Sequence, residues 1–138
     1  MPELRIADLF QVRSRFLRSA HLERDFADGS ALKGYVVTPH VKSSLDRLVS
    51  GLAQNSGHRA WRITGDYGTG KSSFALALAH ILSGRQDNLP NQLRHAVVLR
   101  KIAASRPRLL PVLVTGSREA IDAALLRALH RALQDGLS

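Results

Sequence analysis

Hydrophobic positions along this chain change period several times. Val41, Leu45, Leu48, Val49 and Leu52 fall on one face of an α-helix. Thr38-Pro39 opens that helix as an N-cap followed by proline at the first helical position, and the pattern ends near Asn55 to Gly57. Ala60 to Thr64 is short and favours a strand through Trp61, Ile63 and Thr64. A second helical pattern runs from Ser73 to Leu82, with Phe74, Ala75, Leu78, Ile81 and Leu82 as its apolar face and Gly84 as its stop. Residues 91 to 104 predict a further helix with Leu93, Val97, Val98 and Ile102 inward, stopping before Arg106-Pro107. Leu109 to Thr115 is a nearly continuous apolar run of the type buried on both faces of a parallel sheet, with Pro111 marking a strand's start or an edge. Gly116-Ser117 then caps a last helix in which Ile121, Leu125, Leu129, Ala132 and Leu133 form one stripe.

The N-terminal part is less regular. Leu4, Ile6, Leu9, Phe10, Val12, Phe16 and Leu17 punctuate an arginine-rich segment that reads as helical in whole or part. Asp25 to Ser30 is turn-like, and Gly34 to Val37 reads as a short extended piece. The order is α/β: a parallel sheet with flanking helices over residues 38–138, preceded by a helical and extended segment over residues 1–37.

Gly65-Asp66-Tyr67-Gly68-Thr69-Gly70-Lys71-Ser72 matches the Walker A pattern at every fixed position. A random chain of this length carries that pattern in roughly one case in a hundred or fewer. Gly65, Gly68 and Gly70 let successive backbone N–H groups turn inward around a polyphosphate, and the loop opens into a helix whose positive end faces the same anion. Lys71 supplies a charge for the β- and γ-phosphates and is the expected catalytic residue, while the Ser72 hydroxyl is the expected Mg²⁺ ligand. Ser73 completes the predicted cofactor-binding set of residues 65 to 73, read as a site for ATP and Mg²⁺.

Composition narrows the setting. The 138 residues contain no cysteine, which excludes disulfides and thiolate metal sites. The six histidines lack metal-ligand spacing. No apolar run approaches the ~18 residues of a membrane span and no signal-peptide core is evident, so the expectation is a cytoplasmic protein without membrane contact. Twenty basic residues against eleven acidic give a formal charge of +9. No acidic residue lies between Asp87 and Glu119, a window holding Arg94, His95, Arg100, Lys101, Arg106 and Arg108. Two readings stand side by side: a basic face for DNA or RNA phosphates, or a solvated face whose charges pair with other chain segments.

ATP hydrolysis on such a scaffold needs a second apolar strand ending in an acidic residue, and none follows the loop. The downstream strand candidate ends in Val114-Thr115-Gly116, and Asp122 lies within a helical pattern. The chain therefore reads as truncated before that strand, or as a module that binds nucleotide without turnover.

The run Trp61 to Phe74, preceded by the helix from Thr38-Pro39, resembles the start of the ATPase module in AAA+ and related STAND-type proteins, particularly the origin-recognition-like branch. The segment from Ile6 to Leu82 is also similar, more loosely, to large bacterial phage-defence ATPases. The resemblance covers roughly residues 30 to 130. It implies an ASCE-type P-loop NTPase fold with the P-loop strand central, Lys71 and Ser72 in the phosphate and Mg²⁺ roles, adenine near Tyr35 to Pro39, and self-association that brings a neighbour's arginine to the γ-phosphate. On that basis the expected function is ATP-Mg²⁺ binding in the N-terminal part of an ATPase acting on nucleic acid or in phage defence. The alternatives are a non-catalytic nucleotide-gated module and a basic nucleic-acid-binding domain.

Overall fold

A computed structural model describes residues 20–52, 57–94, 109–116 and 118–136. Five α-helices appear in it: α1 (Leu22–Ala27), α2 (Pro39–Gly51), α3 (Lys71–Ser83), α4 (Asn91–Arg94) and α5 (Ile121–Gly136), with a 3₁₀ turn at Gln86–Asn88 between α3 and α4.

Helix α2 starts where its signals place it. The Thr38 hydroxyl accepts from the Val41 N–H at 3.3 Å, with proline next in the chain. Leu45 and Leu48 turn into the core. Helix α3 also ends as expected, on Gly84 at φ 75°, whose N–H donates to the Ile81 carbonyl at 3.2 Å. Its burial is broader than one apolar face: Phe74, Leu76, Ala77, Ala79, His80 and Ile81 are all buried, because α3 is the central helix of the core. Phe26 of α1, Leu32, Leu45 and Leu48 of α2, and Leu89 and Leu93 pack around it.

The expected parallel sheet is not found. Among the described residues there is no strand, and the ASCE-type P-loop sheet predicted from the sequence does not fit this helical structure. Residues 57–66 and 109–116 are extended, yet no backbone hydrogen bond joins either segment to a neighbouring strand. Trp61 and Ile63 remain 42% and 43% exposed, where a central strand would be covered on both faces. Residues 109–116 are held by other means: Leu109 N–H donates to the Leu82 carbonyl at 2.9 Å, and Thr115 N–H donates to the Glu23 carboxylate at 2.9 Å. Helix α2 accordingly packs on α3 and the Leu32 turn, not on a sheet.

Smaller differences follow from tertiary contacts. The turn expected at Asp25 to Ser30 begins three residues later, because Leu22–Ala27 is helical and Phe26 is buried against α3. Asp28 then starts the turn, accepting from the Ser30 N–H and hydroxyl at 2.9 and 2.8 Å. Residues 35–38 are extended but unpaired. Of the helix predicted over 91 to 104, the structure describes the first turn, and the remainder lies outside the described residues, as does the N-terminal segment to residue 19. Helix α5 begins at Ile121, four residues beyond Ser117, and buries Ala124, Ala128 and Ala132 instead of its larger aliphatic residues. Among the described residues no helix is long and apolar enough to cross a membrane.

Candidate functional site

The glycine loop joins an extended lead-in to the N-terminus of α3. Gly51, at the end of α2, leaves room for that lead-in: a Cβ there would lie 2.8 Å from both the His58 carbonyl and the Trp61 ring. The Trp61 indole N–H donates to the His58 carbonyl at 3.3 Å, fixing the chain four residues before the loop.

Within the loop, Gly68 and Gly70 both take φ 83°, left-handed backbone that disfavours a side chain. Gly65 has φ 159°, close to ordinary extended backbone; what it supplies is clearance, since a Cβ there would meet the Thr69 hydroxyl at 3.0 Å. The Asp66 carbonyl gathers the loop, accepting from the Thr69 hydroxyl at 2.8 Å, the Thr69 N–H at 3.4 Å and the Lys71 ammonium at 2.6 Å. Lys71 also donates to the Gly65 carbonyl at 2.8 Å, so its charge lies folded into the loop.

Gly70 is the N-cap of α3 and has no side chain to satisfy the helix start. The first helical bond runs from Phe74 N–H to the Gly70 carbonyl at 2.9 Å. The N–H groups of residues 70 to 73 therefore have no acceptor within the helix, and the dipole adds partial positive charge at the same point. Ser72 is exposed, Ser73 is half-buried, and the Tyr67 side chain stands 93% exposed at the loop's tip. All nine residues from Gly65 to Ser73 that the sequence singles out thus form one continuous loop and first helical turn.

A cleft of about 600 Å³ runs from this loop along α2, a size suited to a small ligand. Tyr35, His40, Ser44 and Arg47 line one side, with Trp61 and Arg62 entering from the lead-in. Tyr35 lies where the resemblance sets adenine, and burial pushes its phenol pKa up. His40, Ser44, Arg47 and Arg62 were not singled out by the sequence reading. A signal existed for three of them, because residues 40, 44 and 47 share one helical face with the polar side toward the loop. The loop's polar groups and Lys71 suit a polyphosphate, and the Ser72 hydroxyl adjoining it suits a Mg²⁺ ion held jointly with phosphate oxygens. Among the described residues no group of three or more His, Cys, Asp or Glu side chains is arranged for metal binding, so the protein side of any such Mg²⁺ site rests on Ser72.

A second cavity of about 380 Å³ lies between α1, residues 109–113 and α5. Its arginines are engaged: Arg131 bonds Glu23, and Arg85 lies 4.6 Å over the Phe26 ring. Of the basic window between Asp87 and Glu119, Arg94 is described, and it clamps its own chain by donating to the Leu89 and Asp87 carbonyls. His95, Arg100, Lys101, Arg106 and Arg108 lie outside the described residues. Comparison with protein-family models, curated proteins and solved structures finds no match to this chain.

Proposed function

We propose that this chain binds a nucleoside triphosphate, ATP by preference, with Mg²⁺ at the Gly65 to Ser73 loop. The observation that carries the reading is the loop itself: a complete Walker A sequence, two left-handed glycines, four helix-start N–H groups without helical acceptors and Lys71 folded among them. Polyphosphate entering the loop draws the Lys71 ammonium off the Gly65 and Asp66 carbonyls and onto its β- and γ-oxygens. The Ser72 hydroxyl then meets the Mg²⁺ that bridges those oxygens, and the nucleoside extends into the cleft beside Tyr35. The absence of an N-K-x-D motif favours adenine over guanine. The resemblance to AAA+ and STAND-type ATPases gives this loop its place in an ATP-driven assembly, with nucleic acid or phage defence as its setting.

A non-catalytic variant of the same reading is favoured by one observation: the extended segment after the loop ends at Thr115-Gly116 without an acidic residue. Titration with a fluorescent ATP analogue and Mg²⁺, following phosphate release in the same samples, separates the two. Wild type should bind, and Lys71→Ala should lose at least tenfold in affinity, about 1.4 kcal/mol. Equal binding by both proteins refutes the site, and release that Lys71→Ala abolishes refutes the non-catalytic form.

A further inference from the structure

Helix α5 carries an apolar arc wider than the surface that covers it. Ala124, Ala128 and Ala132 occupy the covered half. Ile121, Leu125, Leu126, Leu129 and Leu133 occupy the adjoining half and are between 42% and 77% exposed. Together they leave bare the equivalent of almost three whole aliphatic side chains, a contiguous patch of roughly 500 Å², at the scale that marks an interaction surface. Leu110 extends it, since it packs against Gly136 at the helix's end, where a Cβ would lie 2.9 Å from the Leu110 side chain.

We propose that the occupant of this face is the chain's own N-terminal segment, Leu4 to Leu17, lying across α5 as an intramolecular cover. Three observations select it. The first is attachment: Glu23, in the first turn of α1, bonds Arg131 of α5 and the Thr115 N–H, so the chain entering α1 starts beside α5. Six residues separate Leu17 from Glu23 and reach at most about 20 Å, enough to bring the segment onto the leucine stripe. The second is size. The segment supplies Leu4, Ile6, Leu9, Phe10, Val12, Phe16 and Leu17, and the stripe from Ile121 to Leu133 is about 18 Å long. The third is charge. Arg127 and Arg131 are already paired with Glu119 and Glu23, while Asp122 and Asp135 have no cationic partner among the described residues. The segment brings Arg5, Arg13, Arg15 and Arg18 against Glu3 and Asp8. A second copy of a +9 chain meets repulsion, whereas the tethered segment is held at high effective concentration.

The chain contains no cysteine, so a single introduced thiol reports cleanly. In the full-length protein, Leu126→Cys should react with a maleimide about tenfold more slowly than Ser50→Cys, an exposed control on α2. Adding Phe10→Asp and Phe16→Asp should bring the two rates together. Equal rates without those substitutions overturn the proposal, as does protection that survives them. Protection that grows with protein concentration assigns the face to a second copy and overturns it equally. To guard against unfolding of the aspartate variant, Phe10→Cys with Leu129→Cys should yield bis-maleimide-linked monomers; linked dimers alone refute the intramolecular cover.

Discussion

Acidification from about pH 7.5 to pH 5 should weaken the fold by about 2 kcal/mol through one side chain, His80. Its ring is fully buried, stacked on Phe26 with centroids 4.7 Å apart and an interplanar angle of 17°. Neither ring nitrogen has a hydrogen-bond partner. Burial, and secondarily the Arg85 charge, push its pKa from 6.5 down to about 4. In the unfolded chain the imidazole takes up a proton near its ordinary value, while the folded chain resists until the lower one. The unfolded state therefore binds more protons between those values, and stability is complete above about 6.5 and is lost progressively as pH falls toward 4. The two values give a loss near 2 kcal/mol by pH 5, or about 7 °C in Tm for a chain of this length. Glu23 does not confuse the measurement. Its carboxyl is held below 4.5 by the Arg131 hydrogen bond and then by the Thr115 N–H, so its contribution is lost mainly below pH 5. The assay is thermal and urea unfolding at several pH values for wild type and His80→Leu. The variant should match or exceed wild type at neutral pH, because two unpaired nitrogens are removed, and should lose most of the slope. Identical slopes in both proteins refute the reasoning.

Three further outcomes follow from local geometry. Gly70→Ala meets no atom within 4 Å but must hold φ 83°, so it should cost about 1–2 kcal/mol in urea unfolding; a neutral result refutes the left-handed cap. Gly51→Ala should destabilise and shift the fluorescence of Trp61, the chain's single tryptophan, because its Cβ lies 2.8 Å from the His58 carbonyl and the Trp61 ring. Stabilisation, as helix propensity alone predicts, counts against that contact. A double-mutant cycle on Glu23→Gln and Arg131→Ala should give a coupling of about 0.5–1 kcal/mol at neutral pH, fading as pH falls through the Glu23 carboxyl's lowered pKa. Zero coupling separates α1 from α5.

Features whose causes are local were legible in the sequence. Thr38-Pro39 set the start of α2, Gly84 the end of α3, and the Walker A spacing placed Gly65 to Ser73 in one loop. Features that depend on a distant partner were not. Ala60 to Thr64 and Leu109 to Thr115 have strand composition, but a ladder needs a second extended segment in register, which no single segment encodes. The Ile121 to Leu133 stripe was legible as apolar, yet the choice of the alanine side for burial depends on how closely α5 approaches the body. His80 reads as one of six scattered histidines, and its burial comes from Phe26, far off in sequence and adjacent in space.

Helix α3 is a rod about 20 Å long, with different attachments at its two ends. Its first turn is the floor of the glycine loop, and its last turn holds residue 109 through the Leu82 carbonyl. From there the extended chain runs to Thr115, Glu23 and Arg131. A ligand that tugs the loop by a fraction of an ångström thus pulls on a stiff shaft whose far end is geared to α1 and α5. In this small protein the phosphate site and the leucine-faced helix share one drive train, and displacement at either end is work done on the other.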